Sequence, residues 1–169
     1  VLVYYAKYPL LLEGMISKIE SVQATTVLDE LVRFEFLRGA VSPKEEEVLR
    51  RFLQRLFSLK AEEVDTSLFP ITEDAVKRAS EVAALYSWRL KNAKIELADC
   101  FLAGQMRKYN EKKEQLYLAT ADLAGFPPLL FERVGIETID TGDSIINVCF
   151  YRFDTKRYLT HRREYLAQS

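Results

Sequence analysis

The sequence predicts a three-layer α/β/α fold with a mainly parallel central sheet, and three observations predict it. Short runs rich in β-branched and aromatic residues recur along the chain, as VLVYY, VQATT and EQLYLA. Segments of helical spacing separate them, which calls for crossover helices and hence parallel neighbours. The 169 residues, 49% of them hydrophobic, suffice for one core that buries roughly two-thirds of the unfolded chain's surface.

Val1 to Tyr5 has the composition of a fully buried strand, and its Lys7 and Pro9 neighbours set it apart from a signal peptide. Leu10 to Ser21 follows with helical spacing at Leu11, Met15, Ile16 and Ile19. Val22 to Thr26 is a second strand, leading into a helix whose apolar face is Leu28, Leu31, Val32 and Phe36. Thr26 and Asp29 fit an N-terminal capping box, and Gly39 ends that helix. After the Ser42-Pro43 turn, KEEEVLRRFLQRLFSLK is amphipathic, with Val48, Leu49, Phe52, Leu53 and Leu56 inward. AEEVDTSLFPI holds a short third strand, and Thr72 caps a long helix to about Leu90. ELADCFLAGQMRKY is a further helix, and Glu114 to Ala119 the next strand, closed by TAD and a GFPP turn. LLFERVG is a helical turn, ETIDT a short strand, and INVCFYRF is strand-like.

The 24 basic residues nearly cancel the 25 acidic ones, so nucleic acid, if bound, is held by a local patch rather than a bulk positive field. The two cysteines, Cys100 and Cys149, sit in apolar surroundings and suit reduced core thiols, which favours a cytoplasmic setting. No stretch approaches the ~18 uninterrupted apolar residues of a membrane span. A soluble protein is expected.

Three acids stand where this architecture converges. Glu30 lies in the first turn after the second strand, Asp122 directly follows the strand EQLYLAT, and Asp99 is embedded in the apolar run ELADCFLAG. The carboxyl ends of strands are the usual ligand edge of such sheets. An ionised carboxylate withdrawn from water needs a cation or a proton, so Asp99 asks for a reason, and Glu96 shares its helix face. Oxygen ligands without a neighbouring imidazole or thiolate suit Mg²⁺ or Mn²⁺ and argue against zinc. The single histidine, His161, argues against a Ser/His/Asp triad, and neither GxxxxGK[ST] nor GxGxxG occurs. Each acid also has an ordinary structural role open to it. Asp29 is a cap, Glu30 a helix-dipole carboxylate, Asp122 a turn residue and Asp99 the partner of a Lys or Arg.

The ordered set ATTVLDELVRFEF, ELADCFLAG and LYLATAD before a GF turn resembles the PIN-domain nucleases. The resemblance spans roughly residues 1–140, which it implies form a PIN-like domain, with 141–169 a C-terminal extension packed on the same domain. It implies a metal-dependent endoribonuclease in which Glu30, Asp99 and Asp122 hold Mg²⁺ or Mn²⁺ and Thr120, two residues before Asp122, orients water or a ligand. Its implied partners are RNA and, for members that are toxins of toxin-antitoxin pairs, an antitoxin protein; a homodimer is also open. The family's first acid, in a D-x-N motif before a similar apolar run, has no counterpart because this sequence begins at that run. Ala124 replaces a further acid common in the family. These departures imply the alternative of a catalytically impaired PIN-like module that binds RNA or protein.

The tail interleaves Arg152, Lys156, Arg157, Arg162 and Arg163 with Tyr151, Phe153 and Tyr158. That mixture can grip phosphates and stack on unpaired bases, or it can be a solvated terminal element whose aromatics pack on the core. The helix KEEEVLRRFLQRLFSLK likewise covers its own core or takes an antitoxin or second protomer.

Overall fold

The computed structural model describes residues 7–22, 27–57, 68–91, 96–112, 115–122 and 125–168. The strand expected at Val1 to Tyr5 lies outside them, as do residues 23–26 of the second expected strand. The chain divides into two compact units, Val1–Ile71 with Ile139–Ile145, and Thr72–Thr138 with Ile146–Ser169.

In the first unit, α1 (Pro9–Ser21) precedes β1 (Leu28–Asp29), α2 (Glu30–Arg38), α3 (Pro43–Phe57) and β2 (Leu68–Phe69). Asp29 caps α2, its carboxylate accepting from the Leu31 N–H at 2.9 Å. Thr26, the other half of the expected capping box, is outside the described residues. Pro43 begins α3, where its missing N–H costs nothing, while the Ser42 hydroxyl accepts from Glu45 N at 3.2 Å. Leu53 is buried with Leu28 and Phe36, and Phe36 meets Phe52 at 5.7 Å between ring centroids. Val48, expected to face inward, is 58% exposed: the buried stripe runs through Leu49, Phe52 and Leu53, and Val48 falls beside the Glu46–Arg50 and Glu47–Arg51 pairs.

In the second unit, α4 (Glu73–Arg89) is capped by Thr72, whose hydroxyl accepts from Ala75 N at 3.2 Å as the sequence predicts. It packs along α5 (Leu97–Glu111). The two helices pack backbone against backbone at Gly104, where a Cβ would lie 2.8 Å from Ala79 N and 3.3 Å from Ala75 O. Both atoms are backbone, so only glycine permits that spacing. Strands β3 (Tyr117–Thr120), β4 (Phe131–Asp140) and β5 (Ile145–Phe153) form a sheet in the order β3-β5-β4, of which the ends of β4 and β5 within Ile139–Ile145 count with the first unit, and α6 (Thr155–Leu166) follows. β3 runs antiparallel to β5, from Tyr117 opposite Arg152 to Thr120 opposite Cys149.

The expected mainly parallel sheet does not form. The three-stranded sheet is antiparallel, and parallel pairing among the described residues is confined to Leu28–Asp29 against Leu68–Phe69. The physical reason lies in the segment expected as a helical turn and a short strand. LLFERVG enters β4 at Phe131, and β4 turns back through Thr141-Gly142-Asp143-Ser144 into β5, so neighbours are joined by a turn rather than a crossover helix. Gly142 takes a φ of +82°, Asp140 Oδ1 accepts its N–H at 2.8 Å, and the Thr141 N–H donates to the Ser144 carbonyl at 2.9 Å.

The core of this unit is aromatic. Phe131 meets Phe126 and Phe153 edge-on at 5.2 and 5.6 Å, with Val82, Leu85, Met106 and Tyr158 around them. Cys100 and Cys149 are buried free thiols, as their apolar neighbours predict. At the edge of this core Glu81 accepts from Arg107 at 2.5 Å and from the Tyr158 hydroxyl at 2.8 Å, and Arg107 stacks on the Tyr158 ring. Burial opposes ionisation of Glu81, but these two hydrogen bonds outweigh it and hold the carboxyl below its ordinary 4.5. A depressed carboxylate stabilises the fold above its unfolded pKa and loses that contribution as pH falls through the folded value. Acid denaturation should therefore show a loss of stability beginning below about pH 4.5, and Glu81→Gln should flatten it; an unchanged pH profile in the variant contradicts this assignment.

Candidate functional site

Asp99 and Asp122 meet at one glycine. Asp99 lies in the first turn of α5, three residues beyond Glu96, which caps the helix without a side-chain hydrogen bond. The positive end of the helix favours a carboxylate there. Asp122 follows β3, and its backbone N–H donates to Thr120 Oγ1 at 3.0 Å, fixing the Thr-Ala-Asp turn. Asp122 Oδ1 in turn accepts from the Gly125 N–H at 3.3 Å. Gly125 also presses against Asp99: a Cβ at position 125 would overlap that carboxylate, lying 2.7 Å from its Cγ. Gly125→Ala should therefore displace the Asp99 carboxylate and lower any metal affinity the pair has by about tenfold, read by Mn²⁺ titration. Equal affinity in the variant removes the shared glycine from the account.

The groups beside the carboxylates remain protonated near neutral pH. Burial, with the Asp99 charge adding to it, pushes the Cys100 thiol up to about 11. Burial pushes the Tyr86 phenol far above its ordinary value, with smaller contributions from Cys100 and Asp99. Tyr86 is 2% exposed, and its hydroxyl has no hydrogen-bond partner among the described residues. Since α4 and α5 meet at Ala79 and Gly104, Tyr86 near the end of α4 stands beside the start of α5, where Asp99 and Cys100 lie. A buried, unpaired phenol costs free energy. Leu97 is 69% exposed, so the run ELADCFLAG is buried on one side only and Asp99 is half-buried at its margin.

Glu30 belongs to the first unit. Exposed at the start of α2, it accepts from the Ile71 N–H at 3.1 Å through Oε2. It lines a cavity of about 680 Å³ with Arg33, Phe34, Arg38 and Ile71. Among the described residues no three His, Cys, Asp or Glu side chains gather into one metal-binding group. The pair Asp99 and Asp122 fits a hard divalent cation in ligand type. Mg²⁺ commonly takes only one or two carboxylates and fills its remaining positions with water and substrate phosphate.

The basic residues of the tail divide by role. Arg152 on β5 pairs with Glu132, and Arg157 donates to the Pro128 carbonyl at 2.8 Å and pairs with Asp154, stapling the turn before β4. Lys156 and Arg163 are exposed on α6, and Arg162 lies over the Tyr165 ring. Tyr151, Phe153 and Tyr158 are buried in the core, so they are not offered to unpaired bases. His161 lies 3.2 Å from Glu164. Sequence reasoning singled out both acids and Thr120 and counted the GF turn toward the family resemblance, but offered no sign that Gly125 itself meets both carboxylates. Tyr86 carried no signal, being one apolar-face residue of an ordinary amphipathic helix. No helix among the described residues is long and apolar enough to cross a membrane. No protein-family model, curated protein or solved structure matches this chain.

Proposed function

We propose that the chain is a metal-dependent endoribonuclease whose centre is the carboxylate pair Asp99 and Asp122. The observation that carries this reading is their convergence on Gly125, which admits no side chain without displacing Asp99. The motif resemblance to PIN-domain nucleases supports the same two acids in the same role, without their strand order. Mg²⁺ or Mn²⁺, when bound there, lowers the pKa of a coordinated water and offsets charge on the phosphodiester. Asp99 and Asp122 supply the two anionic oxygen donors. Thr120 fixes the backbone of Asp122 through its oxygen and keeps its own hydroxyl proton for a phosphate oxygen or water. The test is cleavage of a mixed pool of single-stranded and structured RNAs by the full chain with Mn²⁺. Loss of cleavage in Asp99→Asn supports the reading; an inert wild-type protein, or equal cleavage by the variant, overturns it.

RNA binding without cleavage is the second reading, and the first unit favours it. Phe34 is 61% exposed in the cavity, whose lining also holds Arg33, Arg38, Glu30 and the ion-paired Glu46 and Arg50, a stacking surface among guanidiniums in excess of carboxylates. RNA retained by the wild-type chain in Mn²⁺, uncleaved, and released by Phe34→Ala would select this reading.

A further inference from the structure

One exposed cation stands on the sheet face that leads to the carboxylate pair. The Asp154 N–H donates to the Leu130 carbonyl at 2.8 Å and Arg152 pairs with Glu132, so the next pair along the two antiparallel strands is Tyr151 on β5 with Arg133 on β4. Residues directly opposite one another share a face, and Phe131, two residues before Arg133, agrees: its ring meets that of Tyr151 at 6.3 Å. On the other side of Tyr151 lies β3, where Leu118 is its partner and whose end leads to Asp122. The Tyr151 ring also packs 6.0 Å from Phe126, the neighbour of Gly125. Tyr151 thus stands between the turn that carries Asp122 and the side chain of Arg133.

The electrostatics follow the same arrangement. Burial and the Cys149 thiol raise the Tyr151 phenol above its ordinary value, the Arg133 charge opposes that rise and the Asp122 charge adds to it. One phenol therefore senses both the cation and the carboxylate. Arg133 itself is exposed and enters no ion pair among the described residues, its neighbour Glu132 being taken by Arg152. A phosphodiester approaching two carboxylates meets repulsion that a cation has to offset. A guanidinium beside the pair offers planar, paired donors to phosphate oxygens and keeps its charge at any working pH. We propose that Arg133 is a substrate-binding residue that holds the RNA phosphate facing Asp99 and Asp122. The inference rests on the nuclease reading and adds to it where the phosphate lies, on the β4 side of the carboxylates.

Two measurements on the full chain test this. Fluorescence anisotropy of a labelled single-stranded RNA in EDTA reads the phosphate contact without metal or cleavage. Arg133→Gln should weaken binding by about tenfold and lower the slope of log Kd against log salt by about 0.7, the share of one phosphate on a single strand. Arg133→Lys keeps the charge and should keep that slope. In Mn²⁺, steady-state cleavage by Arg133→Gln should show KM raised by about tenfold and kcat within about twofold, the pattern of a contact made equally in the ground and transition states. The melting temperature should match that of the wild type, because the side chain is exposed. A wild-type chain that cleaves while Arg133→Gln equals it in either measurement overturns this inference and leaves the nuclease reading standing. A variant that melts well below the wild type assigns the loss to folding and overturns it too. A wild-type chain that does not cleave overturns both.

Discussion

Asp99→Asn is expected to lower Mn²⁺-dependent RNA cleavage by about a hundredfold or more while leaving the melting temperature close to that of the wild type. Asparagine keeps the size of the side chain against Gly125 and removes the charge, so packing is preserved and only the donor strength changes. Loss of groups that merely support a metal ligand costs about 10- to 100-fold, and loss of a ligand from a pair should reach at least the upper end of that range. A second readout needs no metal. The Asp99 charge contributes to the raised thiol of Cys100, so the variant's thiol should titrate below about 11, though burial still holds it above its ordinary 9.0. Thiol reactivity against pH with a small alkylating agent reads this directly. Unchanged titration would separate Asp99 from Cys100 and contradict the described geometry; lowered titration with full cleavage would keep the geometry and remove the catalytic role.

Phe131→Ala is expected to cost about 3–5 kcal/mol of folding stability, measured by urea unfolding. Phe131 is 1% exposed and touches Phe126, Tyr151 and Phe153, so truncation loses both burial and ring contacts and leaves a cavity walled by rigid aromatics. Against a typical total of about 5–15 kcal/mol, that is a large share. The same strand supplies its own control. Val134 is 45% exposed, and Val134→Ala should stay within about 0.5 kcal/mol. Equal costs at the two positions would mean that β4 does not lie with Phe131 inward.

Local signals in the sequence were legible where a single element decides them. Thr72 is a cap because its hydroxyl needs only the next turn's N–H, and that is what it finds at Ala75. The sheet was not legible in the same way. Strand direction depends on which segments pair, and the alternation of strand and helix in the first ninety residues suggested crossovers that the β4–β5 hairpin does not use. The hairpin left a trace in TGDS between ETID and IINV, a glycine-bearing turn between two strand-like runs, overridden by reading LLFERVG as helical. Likewise Asp99 looked anomalous in a run taken as wholly buried. Leu97 is exposed and Asp99 sits in the first turn of α5, so part of the anomaly is the ordinary attraction of a helix amino end for a carboxylate. Asp122 reaches Gly125 by an ordinary turn bond three residues on, and what that attraction leaves unexplained is that this turn lands against the Asp99 carboxylate.

The shared site is therefore the claim to measure, by calorimetric titration of Mn²⁺ into the full chain, Asp99→Asn, Asp122→Asn and the double variant. If both carboxylates hold one ion, each single substitution weakens binding by about tenfold or more and the double variant loses less than the sum of the two. A wild-type chain that binds no Mn²⁺, or two substitutions whose effects simply add, would contradict a centre built from Asp99 and Asp122 together.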